Sequence, residues 1–250
     1  MELLSLYIGR LLALLPPLNR THNTTNTQLL SLPLTLIYPS HIKHMDPDYV
    51  IAADGDIILV VGEPPRANEH PPTPCPVVHL KVRSSVLRSA SRVFNAMLGP
   101  NWCEGQTLAT RKSSTPLKVL LPEDDPGVMQ IICRALHHPN EIPQEDLNAE
   151  EILSIAIHAD KYLITGALKV ATGHWLDAWL KPSIDEPWID NRSMTEKGHM
   201  LVSALLFGEN WKFLQVARTL ILNHTERYRW KLTEDELIAQ FLPAHAIGTC

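Results

Sequence analysis

The sequence predicts an α+β fold, a small β-sheet flanked by helices and followed by an all-helical extension. Three observations carry this expectation. Short β-branched runs crowd the stretch 56–121, whereas apolar residues at helical 3–4 spacing dominate after 125. Turn and cap residues punctuate the change at Gly55, Gly62, Gly99-Pro100 and Asp125-Pro126. Hydrophobic residues make up 45% of the 250, enough for one large or two modest cores.

The elements follow in order. Ile57-Ile58-Leu59-Val60-Val61, led by Asp56 and bounded by Gly55 and Gly62, reads as a buried strand. Glu63 to Pro76 holds six prolines in 14 residues, so it is a loop, because proline fixes φ and removes a donor. Val77 to Val82 returns as a second strand, which makes a hairpin with a long insert. Ser84 or Ser85 can cap a short helix carrying Val86 and Leu87. Ser91 can cap another that carries Val93, Phe94 and Met97 and ends at Gly99-Pro100. Residues 105–115 read as a polar loop, and Leu117–Leu121 as a third strand.

Asp125 followed by Pro126 opens a helix with Val128, Ile131, Ile132 and Leu136 as its apolar face. Asn148 with Glu151 forms a capping box ahead of Ile152, Ile155, Ala156 and Ala159. A helix after Gly166 aligns Leu168, Ala171, Trp175 and Trp179, a core stripe rather than a stacking platform. Residues 181–198 read as a linker. Helices are expected over 200–207 and 211–222, with a last one capped by Thr233 and Glu236. The expected organisation is thus a tail over 1–44, a domain over 46–180, the linker, and a helical extension over 199–250.

The tail differs in composition from the rest. Its only charged residues are Glu2, Arg10, Arg20 and Lys43, so the remaining chain carries 19 basic and 26 acidic side chains, a net of −7. Its start faintly resembles a signal peptide, but Glu2 stands in the n-region and Arg10 interrupts the apolar stretch. A poorly ordered tail is expected. Met45 is a candidate natural start, with the upstream residues a gene-model extension.

Charge and motifs exclude several classes. The net charge of −5, without a basic stripe, speaks against direct nucleic-acid binding. Cys75, Cys103, Cys133 and Cys250 form no CxxC pair, which fits scattered reduced thiols and an intracellular, cytoplasmic or nuclear, protein. No run is long enough to span a bilayer. The serines lack a GxSxG elbow, and there is no phosphate cradle and no HExxH. Glu123-Asp124-Asp125 reads as a turn with an N-cap rather than a carboxylate site. His137 and His138, at a helix end, point apart. No catalytic, metal-binding or cofactor-binding set emerges, so the expectation is not an enzyme.

Taken together, the run from Asp56 and the stretch LKVRSSVLRSASRVFNAM from Leu80 to Met97 resemble the opening of the BTB/POZ domain. In that family an Asp-led strand precedes a pattern of the form F-x-A-H-x-x-V-L-A-A-x-S-x-x-F-x-x-M. Leu80, Val82, Val86, Leu87, Ser91, Phe94 and Met97 fall in register with it. So do the strand over 117–121 with its LPEDDP, the helix ending in ALHHP, and AEEILSIAIHADKYLITGALK. The resemblance covers roughly residues 46–180, with a dozen spaced positions in agreement. The Trp-rich remainder is similar to the helical half of single-BTB proteins of filamentous fungi.

The resemblance implies a non-enzymatic, homodimerising protein–protein interaction module. It would act as a scaffold or as a substrate adaptor for a cullin-type ubiquitin ligase. The alternative is a transcription-associated cofactor that does not read DNA itself. Cullin-binding members carry a hydrophobic residue, any residue, then Glu, after the helix of the family's Phe; here these are Trp102 and Glu104. Dimeric transcription factors pair the strand's Asp with a basic residue in a charged pocket. Here Asp56 is present, but Arg83 replaces the family's His and Ser84 the basic residue, which leaves Arg83 as the cation for Asp56. The Pro-rich insert also replaces a tight hairpin turn.

Overall fold

Four strands form one mixed sheet in the order β1-β3-β2-β4. They are β1 Tyr49–Val50, β2 Ile57–Val61, β3 Val78–Val82 and β4 Leu117–Leu121. The computed structural model describes residues 47–62, 77–110, 115–139, 147–181, 192–223 and 235–241, all within the compact unit Pro47–Ala244. The tail over 1–44, the Pro-rich insert and Thr233 lie outside the described residues.

Strand β2 is central. It runs antiparallel to β3, with Ile57 opposite Val82 and Val61 opposite Val78, so the expected hairpin forms. On its other side it pairs in parallel with β4, Ile57 opposite Leu117 and Val61 opposite Leu121. Ile57, Ile58, Leu59 and Val61 are all buried, as a strand covered on both faces requires. Strand β1 is only two residues long and pairs in parallel with β3. Its side chains, Tyr49 and Val50, are exposed, so it carries no burial pattern that a sequence reading could detect.

Two short helices follow β3, α1 Ser84–Ala90 and α2 Arg92–Met97. Ser91 caps α2 as expected, its Oγ accepting the Phe94 N–H at 3.0 Å. The same Oγ donates to the Tyr162 carbonyl at 2.6 Å, 71 residues away in sequence. The cap of α1 differs from expectation. Neither Ser84 nor Ser85 caps it; Arg83 holds that position without a side-chain bond. The Asp56 carboxylate acts instead, taking the Ser84 N–H at 2.7 Å and the Ser84 hydroxyl at 2.5 Å.

The expected polar loop over 105–115 begins as a helix, α3 Cys103–Thr110. Helix α4, Pro126–His137, starts as predicted, with the Asp125 carboxylate accepting the Val128 N–H at 2.8 Å. Its buried face holds Val128, Met129, Ile132, Cys133 and Ala135, while Ile131 and Leu136 are half-buried. Helix α5, Ala149–Lys161, has the full Asn148–Glu151 capping box, and its four expected apolar positions are all buried. Helix α6, Lys169–Leu180, buries Ala171 and Trp175 and half-buries Trp179.

Helix α5 ends with two crossed backbone bonds, Leu163 N–H to Asp160 and Ile164 N–H to Ala159. That ending requires a left-handed residue, and here it is Leu163, at φ 53°. Glycine would fit there without steric cost, and it does at the matching end of α7, where Gly208 has φ 72°.

Helices α7 Met194–Leu206, α8 Asn210–Asn223 and α9 Glu236–Phe241 complete the described fold. The segment expected to be a linker is helical from Met194 onwards. A capping box starts it: Ser193 Oγ accepts the Glu196 N–H, and the Glu196 carboxylate accepts the Ser193 N–H. From Lys197 to Ala204 every residue of α7 is buried. It packs along α5, α8 and α9, so the last helices share the core of the body instead of forming a separate extension. Asp235 caps α9, accepting the Ile238 N–H at 3.1 Å, and also takes His199 Nε2 of α7 at 3.0 Å.

Below α2 the core centres on stacked rings. Phe94 and Tyr162 lie 4.6 Å apart at 6°. Ser91→Ala loses both a cap and a tertiary bond and is expected to cost about 1–2 kcal/mol. Phe94→Ala opens a cavity against Tyr162 and should cost about 3–5 kcal/mol. Urea denaturation of both variants checks this; equal losses would contradict it.

Candidate functional site

The resemblance directs attention to two places, the start of α3 and the corner between β3 and α1. Leu80, Val82, Leu87, Ser91 and Phe94 are buried, while Val86 and Met97 are half-buried. These seven residues lie on β3, α1 and α2 or at the α1–α2 junction, the elements that lead into the start of α3.

The start of α3 is built on a tight turn. The Trp102 N–H donates to the Gly99 carbonyl at 3.3 Å, and the Trp102 carbonyl accepts the Gln106 N–H at 2.9 Å. The Gln106 side chain closes the same turn on the Pro100 carbonyl at 3.1 Å. Trp102 is thereby fixed at the head of the helix with its side chain 58% exposed. An indole that remains this open on a folded surface offers a large, stiff apolar face. Glu104 lies in the first turn of α3, half-buried, where its charge suits the positive end of the helix. Cys103, between them, is an exposed free thiol.

Gly105 makes this arrangement possible. A Cβ there would stand 1.8 Å from the Gly99 carbonyl oxygen, so only glycine lets α3 rest on the turn. The sequence signal for α3 is faint because Thr107 and Thr110 bond back to the carbonyls of Cys103 and Gln106.

At the β3–α1 corner the expected partners are separated. Arg83 Nε donates to Asp54 Oδ1 at 2.7 Å, and both side chains are largely exposed. The Arg83 guanidinium holds the Asp54 carboxyl below the usual carboxylate range. Asp56 is occupied by Ser84, as described for α1. The corner is thus a hydrogen-bonded joint that places Asp56 and Arg83 on different partners.

A third cluster was read from sequence only as a turn. Asp124 follows β4 with its side chain 2% exposed, and Lys161 Nζ reaches it at 2.7 Å. The Tyr162 hydroxyl donates to its other oxygen. Burial first, and then this carboxylate, push the Tyr162 hydroxyl far above its ordinary range. His158 Nε2 lies 3.6 Å from Asp124 but accepts the Asp125 N–H at 3.3 Å. With every group engaged, this cluster fastens elements together. Burial likewise pushes the Cys133 thiol up to about 12.

Among the described residues, no group of three or more His, Cys, Asp or Glu is placed to hold a metal ion. No helix among them is long and apolar enough to cross a membrane. Compared with protein-family models and with curated proteins, the chain matches none.

Gly105→Ala is expected to destabilise by about 1–3 kcal/mol, because α3 must lift off its turn. Gly173→Ala, in α6 with open space around its Cβ, should instead stabilise by up to about 1 kcal/mol through helix propensity. Urea titrations of the two variants distinguish a contact effect from a general glycine effect.

Proposed function

We propose that this chain is a non-enzymatic protein–protein interaction module of the BTB/POZ kind, acting as a dimeric scaffold or as a substrate adaptor for a cullin-type ubiquitin ligase. The observation that carries the reading is the exposed Trp102 at the head of α3, held there by a helix that only Gly105 permits. A rigidly presented aromatic residue is the side chain most often found as a binding anchor, because it buries much area at little conformational cost. Glu104 supplies an orienting acceptor two residues further on. The burial of Leu80, Val82, Leu87 and Phe94 agrees with their place in the resemblance. The joint at Asp56 bears on the alternative reading. Asp56 is satisfied by Ser84, so a recruitment pocket built on an Asp56–Arg83 pair receives no support, and the cofactor reading ranks second.

Binding to a cullin scaffold tests the proposal. Trp102→Ala is expected to weaken that binding by about 2 kcal/mol, ~30-fold in Kd. Its melting temperature should stay close to that of the parent, because the exposed indole contributes little to the core. Early melting of the variant, or no cullin binding by the parent chain, would count against the adaptor role. Sedimentation is expected to show a dimer at roughly tens of micromolar, and a persistent monomer would count against the scaffold.

A further inference from the structure

The two histidines at the end of α4 are used in opposite ways. His138 Nε2 donates to the Ile51 carbonyl at 2.9 Å. A carbonyl only accepts, so this bond survives whether His138 is neutral or protonated. His137 differs. Its Nδ1 donates to the Cys133 carbonyl at 2.8 Å, and its Nε2 accepts the backbone N–H of Arg83 at 3.0 Å. Only a neutral imidazole protonated at Nδ1 can fill both roles. The bond it accepts holds the residue that opens α1, one position before the Ser84 groups bound by Asp56.

We propose that His137 is an acid-sensitive latch, in which uptake of a solvent proton at Nε2 turns an acceptor into a donor and releases the β3–α1 corner from the end of α4. No bond is exchanged other than this hydrogen bond, and the proton comes from water. After protonation, two N–H groups would face each other across the joint, and one must move away.

The surroundings favour the neutral ring at ordinary pH. Burial lowers the affinity of His137 for a proton most; the bond to the Cys133 carbonyl works the other way, and the neighbouring His138 and the Arg83 guanidinium lower it further. On its own helix the ring faces Cys133, whose buried thiol does not ionise in this range. From the corner it faces Arg83, whose guanidinium is engaged by Asp54. Asp56 holds the adjacent Ser84, and Lys81 is engaged by the Ala53 carbonyl. Among the described residues, the partners of the ring are the Cys133 carbonyl and the Arg83 N–H, and neither is a carboxylate.

The pH window follows from the direction of the shift. Above the ordinary histidine value of 6.5 the folded and unfolded chains are both neutral here, and the latch is closed. As pH falls below that value the unfolded chain takes up the proton first, so stability declines. Once pH reaches the lower folded-state value, the folded chain takes up the proton too, and the latch opens. Helix α1 leads through α2 into the turn that carries Trp102, so acid would loosen the support beneath that surface.

The test uses the full chain labelled with nitrogen-15, titrated from roughly pH 7.5 to pH 5 around the histidine range. The Arg83 and Ser84 backbone amides are expected to shift together, with a midpoint below that of free histidine. In His137→Gln the side-chain oxygen can still accept the Arg83 N–H but cannot titrate, so both shifts should vanish. In His138→Gln they should persist, because His138 bonds the Ile51 carbonyl and not the Arg83 amide. Amides that do not titrate in the parent chain would overturn the latch. So would a titration that survives in His137→Gln or is lost in His138→Gln. If His137→Gln does not fold, the parent and His138→Gln titrations still decide.

Discussion

A buried carboxylate is tolerable only where protein donors replace the water it has lost, and Asp124 receives them from one place, the end of α5. Lys161 brings a cation and Tyr162 a hydroxyl, while the Asp124 side chain is almost fully withdrawn from solvent. Because the two ends of this contact are 37 and 38 residues apart in sequence, it ties the β4–α4 turn to the last turn of α5. Tyr162 extends the tie. Its ring stacks on Phe94 and its carbonyl takes the Ser91 hydroxyl, which brings α2 into the same joint. Three distant pieces of chain therefore meet at one tyrosine. Leaving a charged group of this kind unpaired would cost about 3–5 kcal/mol, comparable to losing a large core side chain.

The rest of the body is arranged around that joint. Helix α5 is anchored at its start by the Asn148–Glu151 box and at its end by Asp124, which fixes the face it offers to α7. Helix α7 can then be buried from Lys197 to Ala204, packed along α5, α8 and α9. The sheet side is supported in parallel by Asp56, which reaches across from β2 to hold the first turn of α1. Trp102 is left outside this network. Its side chain stands exposed at the head of α3.

Local rules made much of this legible in the sequence. Runs such as Ile57–Val61 are strands wherever they are buried, and the Ser91, Asp125 and Asn148 caps act within three residues of themselves. What escaped was decided by distant contacts. Helix α3 is polar and Thr-rich, and it exists because Gly105 lets it lie on the Gly99 turn. The start of α7 carries a complete capping box, but Ser193 and Glu196 sit in the stretch 181–198 that reads as a linker. Strand β1 exists by pairing with β3 alone. At the candidate site the residue types were evident but their partners were not. Asp54 and Asp56 are equally acidic in the sequence, and only the folded corner gives Arg83 to one and Ser84 to the other. Asp124 looked like an ordinary turn acid because nothing near it in sequence announces Lys161 and Tyr162.

A double-mutant cycle between Asp124→Asn and Tyr162→Phe, read by urea denaturation, tests this central joint most directly. If the carboxylate and the hydroxyl hold the fold together as described, each single change destabilises the chain. The double variant then loses less than the sum of the two, with a coupling of about 1–3 kcal/mol. Additive losses, agreeing to within about 0.5 kcal/mol, would contradict the account, because the two groups would then be independent.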